Sequence, residues 1–279
     1  MLTAKRFVVG AMLVTVLGLW IASTAATGAA VSTPDCPRQR DACVDRLLGD
    51  MQRNLDRLGC RHNAAFALLY LRTTEGIRDA IRAGEFSDRP LWNQVTTAFG
   101  RYYLDALRAW RRGDRRHAPQ AWRMAFRAAE REQVSTLGDL VLGINAHINR
   151  DLAFVYFRLG AKNREDHLFV DTVLARTRPT AYPEIMAKLD PTLAGQAPND
   201  PALSLDVFAW RELAWTNAAR LAAARNAAAR RSIAAGIERH SIAMARRIRA
   251  AFAVTAAGNR ARNAYCAQAG STRAGPPGS

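Results

Sequence analysis

The sequence predicts an all-α protein, a multi-helix bundle of about eight helices. Three observations predict it. Apolar residues recur at three- and four-residue steps in segment after segment, the period of a helix with one buried stripe. Nowhere do apolar and polar residues alternate over the length of a half-buried strand. Glycine, serine, asparagine and proline fall where helices start and stop. With 279 residues the chain is long enough to bury a sizeable core.

The first thirty residues are set apart. Lys5 and Arg6 precede an apolar run from Phe7 to Ile21, followed by small residues, which is the layout of a secretory signal peptide. The run is short for a spanning helix, which needs about 20 apolar residues. An uncleaved anchor is the alternative. No spanning segment is expected after the signal, and the protein is expected to be exported or associated with the cell envelope. The domain expectation is a signal at 1–30, a helical domain at 31–268 and a disordered tail at 269–279.

The first helix is expected over 41–58, with Val44, Leu47, Leu48, Met51, Leu55 and Leu58 on one face and Gly59 as its stop. Asn63 is placed to cap the second, which carries Phe66, Leu69, Tyr70, Ile77 and Ile81 to Gly84. A third, over 90–112, presents Trp92, Val95, Phe99, Tyr103 and Trp110. Pro119 opens a fourth with Trp122 and Phe126 inward. Ser135 caps a fifth over 135–157, and a sixth runs over 163–177. Prolines 179, 183, 191, 198 and 201 make 178–203 a long connection. An alanine- and arginine-rich helix is expected from 204 to about 235, then another from Gly236 to about Ala257.

The fifth helix carries the functional clue. Inside its stripe of Leu137, Leu140, Val141, Ile144, Ile148, Leu152 and Val155 sit His147 and Asp151, one turn apart and so directed the same way. Asn145 and Asn149 repeat that spacing at the stripe's edge. Buried polar groups must find partners or a ligand. A histidine and an aspartate at i,i+4 suit two ligands of one divalent ion, with Glu75, Asp105, Asp139, Asp166, His167 or Asp171 as further candidates, Glu75 foremost. The competing reading is architectural: His147 stays neutral, Asp151 accepts from an arginine or a tryptophan, and the asparagines bind backbone. Arg211, on the inward stripe of its own helix, needs a carboxylate such as Asp151 or Glu75. His62, His117 and His240 read as surface residues.

Four cysteines lie beyond the signal: Cys36, Cys43, Cys60 and Cys266. An even count in an exported chain suggests two disulfides. A helix over 41–58 holds Cys43 and Cys60 roughly 25 Å apart at 1.5 Å per residue, too far to bridge. Cys36 with Cys43 and Cys60 with Cys266 is the simplest pairing. The formal charge is +16, and lysine occurs only at positions 5, 162 and 188, so arginine carries nearly all of it. Export, and the lack of aromatics interleaved with the arginines, argue against nucleic acid as a partner. A small molecule or an anionic envelope component is expected instead. Motifs for a serine nucleophile, a zinc protease, a phosphate-binding glycine loop or haem attachment are missing.

The stretch GlyIleAsnAlaHisIleAsnArgAspLeu, 143–152, resembles the hallmark of an uncharacterised bacterial family known only as domain of unknown function 5995. TyrLeuArgThrThrGlu (70–75), ArgTyrTyrLeuAsp (101–105), AlaTrpArgMetAlaPhe (121–126) and TrpArgGluLeuAlaTrp (210–215) extend the likeness over roughly 58–222. The resemblance implies a helical fold and a centre at Asn145, His147, Asn149 and Asp151. It implies no activity. The functional expectation is a metal-assisted ester or phosphoester hydrolase with His147 and Asp151 on a divalent ion. The alternative is a non-catalytic envelope protein that binds a ligand or partner.

Overall fold

A computed structural model describes residues 41–160, 163–193 and 201–273. The signal segment 1–30, Cys36 and the last six residues of the tail lie outside the described residues. Nine helices are present among the described residues, and no strand. They are α1 (Ala42–Leu58), α2 (Ala64–Arg82), α3 (Arg89–Arg111), α4 (Gln120–Glu130), α5 (136–159), α6 (Arg164–Leu189), α7 (Pro201–Ala222), α8 (Ala227–Ala251) and α9 (Arg260–Arg273). The all-α, multi-helix expectation therefore holds.

Helix α5 is the axis of the bundle, packed against α2, α3, α4, α7 and α8. Its N-terminus forms as its sequence directs, with the Ser135 hydroxyl accepting from the Gly138 amide at 3.2 Å. The apolar core forms two joined clusters. One holds Leu47, Met51, Leu68, Trp122 and Leu142; the other holds Trp92, Leu152, Val155, Val170 and Leu221. Phe99 and Ile148 touch both, so the two clusters meet at the middle of α5.

Three expectations about helix boundaries are corrected. Helix α6 does not stop at 177 but continues through Pro179 and Pro183 to Leu189. Proline removes a backbone donor there, yet packing outweighs that loss. Ala181, Ile185 and Leu189 are buried, and Glu184 takes a bidentate pair from Arg72 of α2 at 2.6 and 2.7 Å. The two helices approach so closely that a Cβ at Gly76 would lie 2.6 Å from Thr177 Oγ1, and only glycine admits that approach. The alanine-rich helix does not run to 235 either. It breaks after Ala222, and Asn226 restarts it by accepting from the Ala229 amide at 2.8 Å. Gly236 then lies inside α8, on a surface with room for a side chain.

Asn63 precedes α2 but makes no capping bond. Helix α9 reaches Arg273, beyond the expected start of the tail at 269. It is tied back to the start of α2 by the Cys60–Cys266 disulfide, which spans 206 residues of sequence. The Cys36–Cys43 pairing rests on a residue outside the described ones.

Candidate functional site

Residues Asn145–Leu152 form a π-helical segment in the middle of α5, between α-helical Thr136–Ile144 and Ala153–Leu159. Widening the helix to i→i+5 pairing adds a residue to the turn, and such segments cluster at functional sites. Five polar side chains are carried inward by it: Asn145, His147, Asn149, Arg150 and Asp151 are all buried. Gly143 lies just before it. A Cβ there would fall 2.4 Å from Phe66 Cγ, so glycine lets the Phe66 side chain of α2 press close against α5.

Asp151 is fully enclosed and its oxygens are taken. Oδ1 accepts from Arg150 Nη1 at 2.6 Å, and Oδ2 accepts from Trp122 Nε1 at 2.7 Å. Arg150 Nε also donates to Glu238 of α8 at 2.7 Å. The asparagines form a chain in which Asn149 donates to Asn145 at 3.0 Å, and Asn145 donates to the Ser241 carbonyl at 3.0 Å. The spacing of the sequence pairs thus survives in the fold. Arg150 is the member that periodicity missed, because an arginine beside Asp151 in sequence falls on the flank of an ordinary α-helix.

His147 is held mainly by rings. Phe99 stacks on it with centroids 3.5 Å apart and planes 6° from parallel, and Tyr70 meets it edge-on at 4.2 Å. Its Nδ1 is 3.5 Å from Asp151 Oδ2, a long contact. Burial pushes the imidazole below its ordinary value, against the pull of Asp151, so the ring is neutral at neutral pH. With Nδ1–H turned to the carboxylate, Nε2 is an acceptor, and it is buried without a partner.

That ring forms part of the wall of a cavity of about 150 Å³. Leu69, Ile77, Val95, Ile148, Leu174 and Phe208 make most of it apolar. Polar groups enter at a few points only, among them Tyr156 and Arg211. Each is anchored from behind. Tyr156 donates to His167 Nδ1 at 3.0 Å, and His167 Nε2–H donates to Glu212 at 3.0 Å. Burial and the nearby Arg211 charge push His167 down to about 4, which keeps it neutral. Arg211 pairs with Asp171 at 2.6 Å and donates to the His167 carbonyl.

Arg211 therefore lines the same cavity as His147 but does not pair with Asp151 or Glu75, as the sequence suggested. Asp171, four residues beyond His167 on α6, is its nearer carboxylate. Glu75 is outside the cavity lining and holds Arg72 at the surface at 2.8 Å. The other proposed metal ligands are dispersed: Asp105 pairs with Arg108, and Asp166 accepts from Trp92 and the start of α3. Among the described residues no group of three or more His, Cys, Asp and Glu side chains could hold a metal ion. At Asp151 the Arg150 guanidinium stands where a cation would. The donor set at His147 and Asp151 does not fit a divalent ion.

His62, expected at the surface, is buried and lies 2.6 Å from Asp139 of α5. The turn after α1 folds it under the disulfide. His117 is exposed beside Asp114, and His240 is half-buried with Nε2 unpartnered. Burial pushes Asp139 up to about 6, opposed by the His62 contact. A carboxyl whose folded value is raised holds its proton more firmly in the fold. Its stability is fully present below the unfolded value of 3.8 and is lost as pH rises through about 6. His147 and His167 have the opposite sign. Their stability is present above the ordinary imidazole value and is lost as pH falls below it, for His167 down to about 4. Asp139→Asn removes the compensating gain. Its melting temperature is expected to fall more steeply than that of the wild type between pH 6 and 4, and parallel melting curves would contradict this assignment.

Fold and centre define an all-helical bundle whose central helix opens into a buried polar π-turn beside an apolar cavity. The chain belongs to the family of unknown function DUF5995, whose profile matches residues 44–251. No curated protein and no solved structure matches it. No described helix is long and apolar enough to cross a membrane.

Proposed function

We propose that this is an exported binding protein whose central cavity takes a small, mostly apolar molecule carrying one hydrogen-bond donor. One observation carries the reading: an apolar cavity of about 150 Å³ has an unpartnered acceptor, His147 Nε2, on a residue of its wall. A cavity of this size and polarity suits a ligand the size of a benzene ring. A hydroxyl on that ligand would meet His147 Nε2, whose own polar burial otherwise has no compensation. Arg150 and Asp151 serve to hold the π-turn in place behind the ring. Export is supported by the signal-like leader and by the Cys60–Cys266 disulfide.

The metal-assisted ester or phosphoester hydrolase has less support, because Asp151 is already saturated by Arg150 and Trp122. An anionic envelope polymer is too large for a cavity of about 150 Å³. Calorimetric titration of the purified chain with benzyl alcohol and with toluene separates these readings. Benzyl alcohol is expected to bind more tightly, by about three- to tenfold, the worth of one net hydrogen bond. His147→Phe preserves the stack on Phe99 and should erase that preference while leaving toluene unchanged. Equal affinities in the wild type, or no binding of either probe, would count against the reading.

A further inference from the structure

Helix α8 packs against α4, α5 and α7 through Ile237, Ser241, Ala245 and Ile248, which are buried. Its outer face is basic. Arg231, Arg239, Arg246 and Arg249 are all exposed, and at 3.6 residues per turn they lie within about 80° of one another around the helix. From first to last the row is about 27 Å long at 1.5 Å per residue. Ala228, Ala235 and Ala250 stand exposed beside them, and the one large apolar side chain in the row, Ile242, is half-buried. Several arginines of other helices meet carboxylates: Arg72 pairs with Glu184, Arg82 with Asp45 and Arg101 with Asp50. The row on α8 has no such answer. Among the described residues no group makes an ion pair or a side-chain hydrogen bond with any of the four. Glu238, the single acidic residue of the helix, borders the row and is taken by Arg150 at 2.7 Å. Four like charges fixed along one rod are thus left without a counter-charge of the protein's own.

We propose that this row is a docking surface for an anionic phospholipid membrane, on which α8 lies flat with its guanidinium groups on lipid phosphates. The proposal is independent of the central cavity. Charge complementarity selects the partner. A guanidinium takes a phosphate bidentately, and a straight line of four matches a plane of headgroups rather than one small anion. The row has no exposed large apolar residue to bury among acyl chains, so the contact is electrostatic and stays at the headgroup level. Nucleic acid fits less well, because the row offers no aromatic ring on which a base could stack.

The test is sedimentation of the full chain with vesicles of phosphatidylcholine alone and of an equal mixture of phosphatidylcholine and phosphatidylglycerol. It is read as the ratio of the two partition coefficients, so that any lipid contact indifferent to charge cancels. The wild type is expected to favour the anionic vesicles by at least about a hundredfold at about 0.05 M salt, and to lose more than about tenfold of this at about 0.5 M. Arg239→Gln, Arg246→Gln and Arg249→Gln together should lower the ratio by about a hundredfold, about fivefold per arginine, with an unchanged melting temperature. Arg57→Gln, Arg61→Gln and Arg112→Gln, also at exposed positions, remove the same charge from α1, the turn after it and the end of α3. They should change the ratio by less than about threefold, since charges more than a Debye length from the membrane are screened. Equal losses in the two triple variants would overturn the proposal, because net charge alone would then account for binding. So would a wild type indifferent to phosphatidylglycerol, or a short DNA duplex at equal phosphate concentration that strips the chain from the vesicles.

Discussion

Asp151→Asn is expected to destabilise the protein by roughly 3 kcal/mol, the low end of what breaking a buried ion pair costs. The carboxylate accepts from Arg150 and from Trp122 through different oxygens. An amide has one oxygen and one NH2, so whichever way it turns, an N–H faces an N–H. Arg150 keeps Glu238 as a second partner, which is why the loss should stay near the lower end. Urea unfolding followed by the helical signal measures it. A change under about 1 kcal/mol would show that the π-turn is held by its rings and asparagines rather than by this pair.

Opening the Cys60–Cys266 bond should have the next largest effect. The bond closes a loop of 206 residues, and in the chain-entropy model a loop of that length stabilises by about 5 kcal/mol, with measured values for disulfides commonly 2–4. The double variant Cys60→Ser with Cys266→Ser is expected to melt well below the wild type. It should also free α9 from its tie to the segment before α2. Peptide mapping of the oxidised protein should recover the Cys60–Cys266 pair. A Cys43–Cys60 pair would contradict the fold at the end of α1.

Much of this architecture was legible because it follows from a repeated local rule. The stripe from Leu137 to Val155 names the central helix, and the intrusion of His147 and Asp151 into it marks the centre. Local rules failed where tertiary contacts decided the outcome. Pro179 and Pro183 forbid a helix by local chemistry, but the Arg72–Glu184 pair and the buried Ala181 and Ile185 carry α6 past them. Gly236 looks like a stop, yet the break falls where Asn226 offers a cap. The π-turn has no periodicity of its own in eight residues, so the role of Arg150 could not be read from spacing. His62 looked exposed because its burial depends on Asp139, 77 residues away. Arg211 was correctly drawn inward, but its partner was set by how α6 and α7 meet.

The central claim is that His147 offers a free nitrogen to a ligand in the apolar cavity. Its most direct test is the nitrogen NMR spectrum of His147 during titration with benzyl alcohol, and with toluene as the control. The account predicts a neutral ring throughout, with Nε2 moving toward the hydrogen-bonded acceptor range for benzyl alcohol and unmoved for toluene. An Nε2 resonance that does not respond to either compound, while both bind, would contradict it.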